Sequence, residues 1–241
     1  MLQKFLKSSL FALLLAPALL NLCVGSAIAE TSIDEDRLDT VDGMRWAGSG
    51  LPFDEVVNIK DSLVNSALGK VVLDRHGEDR SGGLFKSPFD SPRPGRFVLV
   101  SLWGSKIEGC FVKMIVQSAP PDGQADLEDL VPKFIELGIG DQILQLTQSQ
   151  ATKPRGFSGK YTYTVYENNT KYTRSSTWYM TDTSFAISPD AANMLRTAPE
   201  KEIRARLTFA NGDTKVFPIG KGNVRRWQEA YSFNSSCTGS K

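Results

Sequence analysis

The chain has 241 residues, with 28 Lys and Arg against 27 Asp and Glu and a formal charge of +1. That balance gives no overall attraction for nucleic acid, and the length is ample for one domain with its own core. With one histidine, His76, and three cysteines, the sequence has no set of His or Cys ligands for a metal centre and no evident catalytic triad.

Residues 1–29 read as a cleaved secretory signal peptide. Lys4 and Lys7 form a positive start, an apolar run extends from about Leu10 to Leu22, and Ala27-Ile28-Ala29 forms an A-x-A site before Glu30. The run is short for a transmembrane helix, which needs about 20 apolar residues. Leu22 in front of Cys23 argues against a lipoprotein signal. Cleavage leaves the mature chain at −1 and leaves one cysteine pair, Cys110 and Cys237. An even pair in an exported chain favours a disulfide over two unpaired thiols. The expected location is the periplasm or the extracellular space, with a thylakoid lumen also compatible.

Residues 30–95 carry 13 acids and 8 bases and read as an acidic, partly disordered arm. Within it, Val56, Ile59, Leu63 and Ala67 recur at helical spacing. This predicts an amphipathic helix over about 54–68, with Asp54 as N-cap and Gly69 as stop. Its apolar face needs a surface, either the main domain, a partner or a membrane interface. Residues 74–95 are rich in Gly, Pro, Ser and charge and read as a linker, which places His76 in a solvated loop.

From Arg96 onward the pattern is β. Strands are predicted over 97–103, 110–117, 133–139, 142–147, 160–166, 172–180, 184–187, 203–209 and 215–219. Turns are predicted at Gly140-Asp141, Asn168-Asn169 and Asn211-Gly212. Ser188-Pro189-Asp190 starts a short helix that ends near Thr197, and Asn223 is the expected N-cap of a second, with Val224, Trp227 and Tyr231 on one face. The expected fold is therefore mainly β. It is an antiparallel sandwich or partly open barrel over residues 96–237 with two short helices, followed by a tail at 238–241. No motif carries a resemblance to a named family.

No G-x-S-x-G elbow, P-loop or dinucleotide fingerprint occurs, no catalytic residue is assigned, and no cofactor or metal is implied. The main expectation is an exported, non-enzymatic binding or assembly module of the cell envelope. Residues 196–226 carry 8 bases against 3 acids. Arg204 and Arg206 share one strand face, while Lys221, Arg225 and Arg226 surround a helix N-terminus, where anions bind readily. The candidate partner is an anionic envelope polymer or an acidic protein surface. Trp178, beside Tyr179, is a candidate exposed ring for a ligand. The same residues also read as an ordinary solvated strand face and core aromatics. The alternative function is an envelope glycan hydrolase using a carboxylate pair such as Asp126 and Glu128 in the acidic loop after Pro120-Pro121. The oligomeric state is left open.

Overall fold

The computed structural model describes residues 31–39, 44–80 and 87–238. The expected signal peptide, the glycines at 82–83 and the last three residues lie outside them. In chain order the elements are β1 (Ser32–Asp34), α1 (Glu35–Asp39), β2 (Val56–Lys60), β3 (Ala67–Asp79), β4 (Arg96–Lys106) and β5 (Gly109–Ala119). There follow β6 (Pro132–Ile139), β7 (Gln142–Thr147), β8 (Arg155–Glu167), β9 (Thr170–Phe185), α2 (Pro189–Arg196), β10 (Ile203–Phe209), β11 (Thr214–Ile219) and α3 (Lys221–Ala230).

The strands form two sheets, a seven-stranded one in the order β1-β2-β3-β4-β5-β9-β8 and a four-stranded one in the order β11-β10-β6-β7. Every pair is antiparallel except β1 with β2. Neither sheet closes, so of the two expected architectures the sandwich is the one formed. Among the described residues, no helix is long and apolar enough to cross a membrane.

The seven-stranded sheet is apolar on both faces. One face sends Val72, Leu99, Trp103, Val112, Met114 and Val116 against the inner face of the four-stranded sheet and against α2 and α3. Trp103 and Trp227 meet there with ring centroids 4.8 Å apart. The other face sends Val57, Ile59, Val71, Leu73, Val98 and Val100 against the N-terminal segment, with Leu38, Met44, Trp46 and Leu51. Irregular backbone on a sheet needs hydrogen-bond partners. Buried Gln117 provides them, accepting from Ala47 N at 2.5 Å and donating to Met44 O at 3.0 Å and Arg45 O at 3.1 Å.

The predicted helix over 54–68 is not formed. Val57 and Ile59 point inward with the period-two alternation of a strand, while Leu63, in the turn, is 92% exposed. Two effects defeat the helical spacing. β-Branched Val56, Val57 and Ile59 favour the pleated surface. Asp61 then builds a turn, accepting from Leu63 N at 2.8 Å and Val64 N at 3.0 Å, and Asn65 adopts a left-handed φ of 53°. Asp54, the expected N-cap, also has positive φ and caps nothing helical.

The arm and linker boundaries are corrected with it. β3 pairs with β4 from Gly69↔Lys106 to Asp79↔Arg96, so residues 69–79, before the expected boundary, belong to a strand of the same sheet. His76 is accordingly a half-buried strand residue opposite Leu99, not a loop residue.

The later elements follow the sequence more closely. Ser188 Oγ accepts from Ala191 N at 3.1 Å and caps α2. Asn168 and Asn169 take φ of 49° and 63° at the β8–β9 turn, and Gly212 takes 88° between β10 and β11. The strand expected at 184–187 is the end of β9. Asn223 does not cap α3. It lies one turn inside, and Gly220 occupies the cap position. Cys110 and Cys237 form a disulfide with Cα atoms 5.6 Å apart, which ties the C-terminal segment to β5 across 127 residues.

Candidate functional site: a basic cleft beside the N-terminal helix

The face of the seven-stranded sheet that receives the N-terminal segment carries a cluster of charge at one end. Lys106 closes β4. Lys113 on β5 lies between Leu102 and Ser184, and Asp182 on β9 lies between Ile115 and Arg155. Alternation along these strands directs all four side chains to one face. With Lys153 from the preceding loop, Glu108 from the β4–β5 turn and Leu38 and Asp39 from α1, they line a cleft of about 470 Å³. That volume falls in the range of ligand pockets, roughly 300–1,000 Å³.

The charges interlock. The Asp182 side chain is 6% exposed and pairs with Arg155, with Lys113 Nζ at 3.5 Å. Lys113 also donates to Asp39 Oδ1 at 2.5 Å and to Leu38 O at 3.3 Å. Arg155 Nη1 donates to Asp39 O at 2.8 Å, and Lys106 pairs with Glu35. Burial pushes the Asp39 carboxyl up. The hydrogen bond and charge of Lys113, with Lys106 and Arg155, outweigh this and hold it below its ordinary value. Lys153 has no ion pair among the described residues. The cleft thus holds a short acidic peptide in cis, gripping both its carboxylates and its carbonyls.

The residues singled out from the sequence fall elsewhere. Arg204 and Arg206 leave the outer face of the four-stranded sheet, as their strand alternation requires, where Arg206 pairs with Glu136 at 2.6 Å and Arg204 with Glu202 at 3.7 Å. Lys221 and Arg225 are exposed on α3 and Arg226 is half-buried, while the opposite side of α3 enters the core between the sheets. These are two groups of bases on different elements.

The N-terminus of α3 already holds the chain's own acids. Gly220 N donates to Asp74 Oδ2 at 3.3 Å, and Asn223 Nδ2 donates to Asp54 Oδ1 at 2.8 Å. Burial, with the Asp54 charge adding, pushes Asp74 up to about 6 against the hydrogen bonds from Arg75 N and Gly220 N.

Trp178 is half-buried, lies over Gly159 on the neighbouring strand and meets Trp46 edge-on at 6.2 Å, while Trp103 and Trp227 are fully buried. The four tryptophans therefore form two packing pairs. In the acidic loop, Asp122 accepts from Gln124 N at 3.1 Å and Asp126 from Glu128 N at 2.9 Å, so both carboxylates close local turns. His76 lies 3.6 Å from Glu78 and beside the Phe217 ring, and burial lowers its pKa despite Glu78. Among the described residues, no group of three or more His, Cys, Asp or Glu is placed to hold a metal ion.

Sequence reasoning passed over Lys106, Lys113, Lys153, Arg155 and Asp182. A signal was present in two of them: Lys113 interrupts the apolar run Phe111–Val116, and Asp182 sits inside a β-favouring stretch. A charge kept within such a strand needs a partner, which marks it for attention. In comparisons with known proteins the chain matches no family model, no curated protein and no solved structure.

Proposed function

We infer that this chain is an exported, non-enzymatic binding module. Its working surface is the cleft formed by Lys106, Lys113, Lys153 and Arg155, and its ligand is an acidic polypeptide segment of a cell-envelope partner. The expectation of an anionic partner is kept, and the recognising residues move from the C-terminal bases to this cleft. One observation carries the reading: the cleft already grips Glu35, Asp39 and the carbonyls of residues 38–39. A partner segment of the same chemistry competes with that strap for the same donors, with Lys153 as the added attraction.

Export is supported by the leader-like start of the sequence and by the Cys110–Cys237 disulfide, since such bonds persist in oxidising compartments.

Co-sedimentation of the purified mature protein with envelope fractions, at low and high salt, tests the reading. Binding is expected at low salt, with loss at high salt as the charges are screened. It should be lost on protease treatment of the fraction and reduced in Lys153→Glu. Binding that survives protease places the ligand in the envelope polymer instead. Binding indifferent to salt and to Lys153 contradicts the cleft reading.

A further inference from the structure

The two sheets end in four edge strands, and three of them are blunted. β1 has three residues, β11 carries Pro218, which has no N–H, and β7 has six residues with its far end bonded by Ala186 N to Thr147 O at 3.0 Å. β8 is different. It has 13 residues, no proline, and a register with β9 that runs unshifted from Arg155↔Asp182 to Glu167↔Thr170. Between Tyr179 and the turn, β9 pairs with β8 alone among the described residues, so this part of the hairpin is a two-stranded ribbon. Such a ribbon is marginal on its own and gains by pairing further.

The turn fixes which backbone groups of β8 are free. Asn168 and Asn169 both have positive φ, 49° and 63°, in a two-residue turn, so Glu167 and Thr170 exchange both of their backbone hydrogen bonds. With no shift in register, the odd-numbered residues of β8 bond to β9. The N–H and C=O groups of Gly156, Ser158, Lys160, Thr162, Thr164 and Tyr166 therefore point out from the edge. All six residues are exposed, and no backbone group bonds to them there among the described residues. A lysine on an edge usually discourages pairing. Lys160 instead turns back over β9, where its Nζ donates to Thr177 Oγ1 at 2.7 Å.

We propose that β8 pairs antiparallel with β8 of a second copy of this chain, around a two-fold axis at Tyr161, joining two seven-stranded sheets into one. A two-fold axis normal to the sheet keeps each face, and the register centred on Tyr161 pairs the whole strand. It sets Arg155 opposite Glu167, Phe157 opposite Val165 and Gly159 opposite Tyr163, the second residue of each pair belonging to the second copy. Opposite charges and apolar pairs at facing positions stabilise a sheet. The glycines leave room for tyrosines. Tyr163 of the second copy meets the Trp178 ring that lies over Gly159, and Tyr166 of the second copy, 72% exposed, meets Leu127 over Gly156. Arg155 is 43% exposed beside Asp182 and Glu167 is 51% exposed beside Arg174, so each has an open side for the other. Sliding the register by two residues sets Lys160 against Lys160 in one direction and Glu167 against Phe157 in the other. The pairing goes beyond the cleft reading and shares only Arg155 with it.

The test is sedimentation equilibrium of the disulfide-bonded chain from residue 30 onward, from micromolar to millimolar concentration, with amide hydrogen exchange read by NMR on the same samples. A mass that doubles with concentration is expected, together with slowed exchange at Ser158, Lys160, Thr162 and Thr164 as the dimer fills. The amides of Tyr161 and Tyr163, already bonded to β9, are expected to change least. Thr162→Pro removes one outward N–H and no bond to β9, and is expected to leave a monomer with wild-type circular dichroism. Glu167→Lys is expected to weaken dimerisation several-fold, since its contact with Arg155 occurs twice. A monomer at every concentration, a dimer whose edge amides exchange as in the monomer, or a folded Thr162→Pro chain that still dimerises would each overturn the proposal.

Discussion

The two ends of the β4–β5 hairpin solve the same problem differently. At the Lys106 end, three basic side chains, Lys106, Lys113 and Arg155, meet acids from a short N-terminal helix and from β9, at contacts that are partly open to solvent. At the Arg96 end, a single guanidinium is fully buried, its charge is neutralised by Asp79, and one of its nitrogens lacks an acceptor among the described residues. The difference teaches how to read charge in a cleft. A cluster of cations matched by replaceable acids favours exchange with another acid. A guanidinium buried against its carboxylate on paired strands is a tie within the fold.

Perturbations of the two ends should separate in magnitude. The Cys110–Cys237 bridge borders the Lys106 cleft, and replacing both cysteines by serine is expected to cost the most, about 4–5 kcal/mol for a loop of this length. Chemical denaturation of the oxidised wild type and the double variant reads this directly. Next comes the buried pair at the other end. Arg96→Met removes one member of a buried ion pair and is expected to cost about 3–5 kcal/mol, measured in the same way.

Between the extremes lies Asp74 at the α3 N-terminus. Its carboxyl has an ordinary value of 3.8 and a folded value of about 6. The raised value means the folded state prefers the protonated acid. The stability this contributes is complete below about pH 4 and is lost as pH rises through 6. Asp74→Asn should therefore remove up to about 3 kcal/mol of destabilisation above pH 6 and flatten the stability curve between pH 4 and 6. Thermal melts across that range check it. A variant whose curve keeps the wild-type slope would exclude Asp74 as the group responsible.

The smallest effect on stability belongs to the strap. Asp39 is partly exposed, and Asp39→Asn is expected to cost no more than about 1 kcal/mol. Its consequence for binding is larger, because Lys113 loses a competing carboxylate and the cleft becomes more attractive to an acidic ligand.

Much of the second half of the fold was legible in the sequence because local signals agreed there. Asn168-Asn169 and Asn211-Gly212 supply the positive φ their turns need, and Ser188-Pro189 starts α2 by capping chemistry that operates within four residues. Residues 54–79 were misread because two periods compete in Val56-Val57-Asn58-Ile59. The winning one depends on β3 and β4, which the local sequence does not contain. The linker reading of 74–79 failed for a related reason. Asp74, Glu78 and Asp79 look solvated in isolation, yet they meet Gly220, Lys215 and Arg96 across long sequence separations. The candidate sites share this property. The basic C-terminal stretch is dense in sequence but divides between a sheet face and a helix. Lys106, Lys113, Lys153 and Arg155 are scattered in sequence and converge through strand pairing.

The most direct measurement is the affinity of a fluorescently labelled Glu-rich peptide for three forms of the chain from residue 30 onward, read by anisotropy at low salt. The account predicts tighter binding in Asp39→Asn than in wild type, and weaker binding in Lys153→Glu. Equal affinity in all three forms would contradict it.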